Sequence, residues 1–83
     1  MILADRIRQF VVEKYIVHAH NTGNSTVTII AGVIHADMGL DNRMPAICSA
    51  IDADKFLSFA NIYLVKRSSP NQSSTAEWVF ALR

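Results

Sequence analysis

The stretch TVTIIAGVIHADMGLDNRMPAICSAIDADKF, residues 26–56, governs how the rest of the chain is read. Its opening, TVTII, is rich in β-branched residues, and Val27 and Ile29 alternate with Thr28, as in a short strand. Gly32 breaks that strand, and residues 33–38 read as a short helix with Ile34 and Met38 toward the core. Gly39 can take the left-handed conformation that ends a helix without a Cβ penalty, and Leu40 packs back behind it. A second helix follows, with Asp41 or Asn42 as its expected cap and Pro45 in its first turn. In that helix Ile47, Cys48 and Ile51 face inward, which leaves Arg43, Ala46, Ser49, Ala50 and Ala53 toward the open side. Phe56, Leu57 and Phe59 are expected to close its far end against the core.

Upstream, residues 1–21 read as one long helix. Leu3, Ile7, Phe10, Val11 and Tyr15 form an apolar stripe that Val12, Ile16 and Ala19 widen. A face this broad is either buried on most sides or partly covered by a second subunit. Asp5 near its start and His18 and His20 near its end suit the helix dipole, and Asn21, Gly23 and Asn24 stop it. Downstream, residues 62–66 and 75–82 read as antiparallel strands, with Trp78, Phe80 and Leu82 on one face and Glu77, Val79 and Ala81 on the other. The intervening RSSPNQSS has no apolar residue and follows Lys66 directly, with Arg67 at its head.

Length and composition narrow the class of protein. Eighty-three residues make one domain, residues 1–83, with a core only just sufficient at this size. An apolar fraction of 51% and a charged fraction of 18% describe a folded chain. Cys48 is the sole cysteine, which excludes an internal disulfide and suits a cytoplasmic protein; a core-lining thiol is its simplest role. No apolar run reaches the roughly 20 residues of a membrane span, and the N-terminus lacks the pattern of a signal peptide. The net charge of +1 gives no general basic excess, so any attraction to phosphate must come from local clustering.

In order, then, the chain reads helix, strand, helix, turn, helix, strand, polar loop, strand. This order resembles the winged helix-turn-helix family across essentially the whole chain, with VIHADMGL at the first helix of the motif and Ile34, Gly39 and Leu40 at matching positions. The combination of TVTIIAG, MGLDNRMPAICSAI and the final hairpin is similar to small archaeal winged-helix proteins. The resemblance implies an α+β fold of three helices and a small three-stranded antiparallel sheet. Two departures stand out. His35 occupies a position where a small residue is usual, and the gap from Gly39 to Ile47 is longer than a tight turn prefers.

Members of that family place the second helix of the motif in the DNA major groove and the hairpin loop, or wing, on the backbone. The resemblance therefore implies a small DNA-binding regulator of transcription, with double-stranded DNA as partner. Arg43 becomes the candidate for a base or phosphate contact, beside Asn42. Ala46, Ser49 and Ala50 would allow close approach, with the Ser49 hydroxyl as a polar contact. Lys55, Lys66 and Arg67 would meet phosphates, helped by Ser68, Ser69, Asn71 and Gln72. Asp52 and Asp54 weigh against this, since they would repel phosphate if they share the presented face.

A module that binds another protein is the alternative, supported by the near-neutral charge and the broad apolar first helix. That helix could also pair two copies into a homodimer, which suits two-fold DNA sites equally well. Catalysis is not expected. His18, His20 and His35 could be imagined as metal ligands, but residues two apart on a helix point in different directions. Neither a nucleophile motif nor a glycine-rich phosphate loop is present, and no cofactor is implied.

Overall fold

The computed structural model describes residues 2–68 and 74–83. The first helix is a single rod in three segments: α1 (Leu3–Val11), a π-helical turn (Val12–Ile16) and α2 (Val17–Asn21). The π turn has a direct cause in the sequence. Ile7, Val11, Ile16 and Ala19 are all buried, and the step from Val11 to Ile16 is one residue longer than an α-helical face permits. Widening the helix there returns Ile16 to the core side. Phe10, Val12 and Tyr15 pack at the rim of the same core, so the chain's own interior covers most of the broad stripe.

Strand β1 (Thr26–Ile30) leads without a loop into α3 (Ala31–Met38). Gly32 therefore sits in the first turn of α3 and does not separate strand from helix. Its place has a different reason, because a Cβ there would lie 2.8 Å from the Ser74 carbonyl oxygen. The Gly32 amide donates to that same oxygen at 2.9 Å, so the two backbones meet as closely as a hydrogen bond allows. At the far end Gly39 adopts φ +66°, with its amide on the Ala36 carbonyl and the Leu40 amide on the His35 carbonyl. This is the Schellman closure expected of a glycine at that position.

Helix α4 (Met44–Asp52) begins after a turn in which Asn42 is left-handed at φ 52°. Neither Asp41 nor Asn42 caps it. Arg43 occupies the cap position without a side-chain hydrogen bond, and Pro45 stands in the first turn. The Arg43 amide instead donates to His35 Nε2 at 3.2 Å, so the imidazole spans the lengthened turn. Both departures from the winged-helix pattern thus meet in one contact. Ala53 is extended and separates α4 from a further helix, α5 (Asp54–Ala60). With the first rod counted once, the described residues form four helices, one more than expected. Phe56 of α5 is fully buried, whereas Phe59 is 60% exposed and does not close the core.

The chain returns through β2 (Ile62–Ser68) and β3 (Glu77–Leu82). The sheet is antiparallel throughout, in the order β1-β3-β2, so the first strand pairs with the last. Thr28 faces Val79 across one ladder, and Leu64 faces Phe80 across the other. The β2–β3 register slips between Leu64 and Lys66, which makes Val65 a bulge on an edge strand. Trp78 and Phe80 are buried as the alternation predicts, and Phe80 meets Phe56 edge to face at 5.6 Å between ring centres.

Candidate nucleic-acid interface

Helix α4 is amphipathic in a narrow sense. Ile47, Cys48, Ala50 and Ile51 are all buried. Ala50 therefore does not belong to the open side: its carbonyl accepts a hydrogen bond at 2.9 Å from Nε of Arg8, reaching across from α1. These four apolar or small residues broaden the buried arc, and a charged residue on the first helix completes it. Ala46 and Ala53 are half-buried, which leaves Arg43, Pro45, Ser49 and Asp52 as the exposed positions along this segment. The presented surface is small and carries one cation near its start and one anion at its end.

That anion, although exposed, is paired within the protein. Asp52 meets Arg67 of β2 in a two-pronged contact, Nε to Oδ1 at 3.1 Å and Nη2 to Oδ2 at 3.2 Å. Oδ1 also accepts the indole N–H of Trp78 at 2.6 Å. Arg67 stacks over the Trp78 ring with its guanidinium carbon 4.7 Å from the centroid, and its Nη1 donates to the Ser68 carbonyl. Burial pushes the Asp52 carboxyl up, but the hydrogen bonds from Arg67 and Trp78 outweigh it and leave the group below the usual carboxylate range. The same pairing raises Arg67. Behind them, burial pushes the Cys48 thiol up while the Arg67 charge pulls it partly back, so this cysteine is an inert core group.

The remaining candidates are dispersed. Asn42 and Arg43 are exposed in the turn before α4, and Ser49 is exposed on its outer side. Lys55 lies on α5 and lines a cleft with Asp5, Arg8, Gln9 and Phe59. Lys66 is exposed on β2 opposite Val79, on the sheet face away from the core, whereas its neighbour Arg67 stands opposite buried Trp78. The alternation of a strand thus divides the basic pair between two faces. Ser69, Asn71 and Gln72 lie outside the described residues. Arg67 and Ser68 are brought together through the Ser68 carbonyl, while the other described candidates are spread over the turn, α4, α5 and the outer sheet face.

Two features escape a reading of the sequence. Arg8, although charged, is only 7% exposed, held by Asp5 at 3.1 Å and by the Ala50 carbonyl. Its i, i+3 spacing from Asp5 is a usable signal for the ion pair but not for the contact with α4. The Asp52–Arg67–Trp78 cluster joins positions far apart in the chain, and no local pattern announces it. Elsewhere, the Tyr15 hydroxyl donates to Asp37 and ties the first helix to α3. Burial, followed by that carboxylate, raises the Tyr15 hydroxyl to about 12. No group of three or more His, Cys, Asp or Glu among the described residues could hold a metal ion. Nor is any described helix long and apolar enough to cross a membrane. Comparison with protein-family models, with curated proteins and with solved structures gave no match.

Proposed function

We propose that this chain is a winged-helix protein that binds double-stranded DNA and serves as a small regulator of transcription. One observation carries the reading. The α3–α4 pair, joined through left-handed Gly39, lies between β1 and a two-stranded hairpin whose last strand returns to β1 in the order β1-β3-β2. That threading supports α4 as the groove-facing helix and β2–β3 as the wing. The added helix α5 follows α4 without displacing the hairpin from its place in the order.

In this reading Arg43, at the start of α4, contacts a base edge or phosphate, and Ser49 lies on the approaching side. Lys66 meets the backbone from the hairpin, and Lys55 adds a cation beyond the end of α4. Three such lysine and arginine contacts predict a log–log salt slope of roughly −3 for a random duplex. Fluorescence anisotropy at low and then moderate salt measures it directly. Steep loss of binding with salt supports the reading, and no binding at low salt removes it.

A protein-binding role is the second reading, and one observation favours it. Tyr63, Leu64 and Val65 are consecutive, apolar and exposed on edge strand β2. Such an edge offers backbone groups and side chains to another chain, although the Val65 bulge and Lys66 blunt it. Failure to bind DNA, combined with a concentration-dependent mass in light scattering, would favour this second reading.

A further inference from the structure

We infer that Arg67 is a phosphate-binding group held in reserve by Asp52, which occupies its guanidinium fork as a phosphodiester would. The inference rests on the DNA-binding reading and concerns how that same surface is regulated. Arg67 presents Nε and Nη2 to the two carboxylate oxygens in the paired geometry that guanidinium uses for carboxylate and phosphate alike. The carboxylate in that fork is easily reached by solvent. The Asp52 side chain is 45% exposed, against 22% for Arg67.

The two members of the pair are anchored differently. Arg67 is also fixed by its stack on Trp78 and by the Ser68 carbonyl, neither of which a ligand need disturb. Asp52 is the last residue of α4, followed by the extended Ala53, so its side chain can swing without unwinding the helix. An incoming phosphate can replace the carboxylate while the guanidinium stays on the indole, with one of its oxygens taking up the Trp78 N–H that Asp52 Oδ1 accepts at 2.6 Å. The carboxylate's exposed side is where a polyanion can compete for the fork. Arg67 then adds to binding only where a backbone phosphate reaches the junction of α4 and β2. Asp52 also lowers the attraction of this corner for other anions.

A double-mutant cycle tests the assignment. Asp52→Asn retains an oxygen for the Trp78 N–H but gives up the charge, and it is expected to tighten binding to a random duplex roughly two- to fivefold. Removing any acidic group near DNA strengthens binding somewhat, so the decisive comparison is the same substitution in an Arg67→Met background. Methionine preserves apolar cover over Trp78 and removes the fork. The gain must be clearly smaller there, and it must come with a salt slope steeper by about one in Asp52→Asn alone. A gain of the same size in the Arg67→Met background would be general electrostatics and overturns the inference. Weaker binding by Asp52→Asn would make the pair a strut that merely positions the hairpin, which also overturns it. Trp78 fluorescence through urea unfolding confirms that each variant is folded before binding is read. If neither the natural chain nor Asp52→Asn binds at low salt, the DNA reading itself fails and the inference fails with it. If both bind equally, only the inference fails.

Discussion

Asp52 is the residue whose chemistry changes most between sequence and fold. Read along the chain, it is an acid at the end of a helix proposed to face phosphate, and it argues against that role. In the structure it is turned to Arg67 and Trp78. Because its folded pKa lies below the ordinary carboxylate value, its stabilising contribution is complete above the unfolded value near 4. That contribution is lost as pH falls through the lowered folded value. Asp52→Asn should therefore flatten the acid limb of a stability profile measured by urea midpoints from neutral pH downward. At neutral pH its cost should stay under about 1 kcal/mol, given how exposed the carboxylate is. Asp52→Ala should cost more, by about 1–3 kcal/mol, since it leaves the indole N–H without its acceptor. Arg8 invites the same test from the other side of α4. Arg8→Ala should cost about 1–3 kcal/mol by stranding the Ala50 carbonyl, with little effect on DNA binding. Paired urea and anisotropy measurements would separate the two effects.

Among the elements, much of the order is legible in the sequence and the junctions are not. The β-branched run of β1, the alternation through Trp78 and Phe80 and the glycine stop at Gly39 are local signals with local causes, and they appear where the sequence puts them. The break between α4 and α5 is not legible, because Ala53 is a good helix former and carries no breaker chemistry, yet its backbone is extended. Ala50 misleads for a related reason: a small residue suits a buried helix contact as well as a close approach to a ligand. The outward half of the candidate site is legible as residue types, whereas the pairing of Arg67 with Asp52 needs the fold. Two glycines make the distinction testable. Gly39→Ala meets no neighbouring atom but must hold φ +66°, and should cost about 1–2 kcal/mol. Gly32→Ala instead drives a methyl against the Ser74 carbonyl and should cost at least as much, with loss of the Gly32–Ser74 hydrogen bond. Hydrogen exchange at the residue 32 amide would show the difference, since only the second change exposes it.

For the molecule as a whole, stability hangs on few side chains. A domain of 83 residues has a total on the order of 4–12 kcal/mol. Phe56 is fully buried against Phe80 at the point where α5 meets the sheet. Phe56→Ala should cost about 3–5 kcal/mol, enough to leave a large unfolded fraction near 37 °C, and a thermal melt followed by circular dichroism would register it. Phe59→Ala, three residues on but exposed, should leave the melt within about 0.5 kcal/mol of the original. The first helix also belongs at this scale. Its broad apolar stripe invites a second subunit, yet most of that width is used inside the one chain.

The π turn at Val12–Ile16 has a consequence for how many residues the rod can hold. Removing either Glu13 or Lys14, both exposed, would leave Ile7 and Val11 followed by an isoleucine four places on and an alanine three beyond it. That is the spacing of an unbroken α-helix, so the shortened rod would bury the same four side chains. The turn thus holds one residue more than an unbroken α-helix with the same buried face would need. A relative of this protein one residue shorter between Val11 and Ile16 would keep the same interior, and its alignment would open a single gap there.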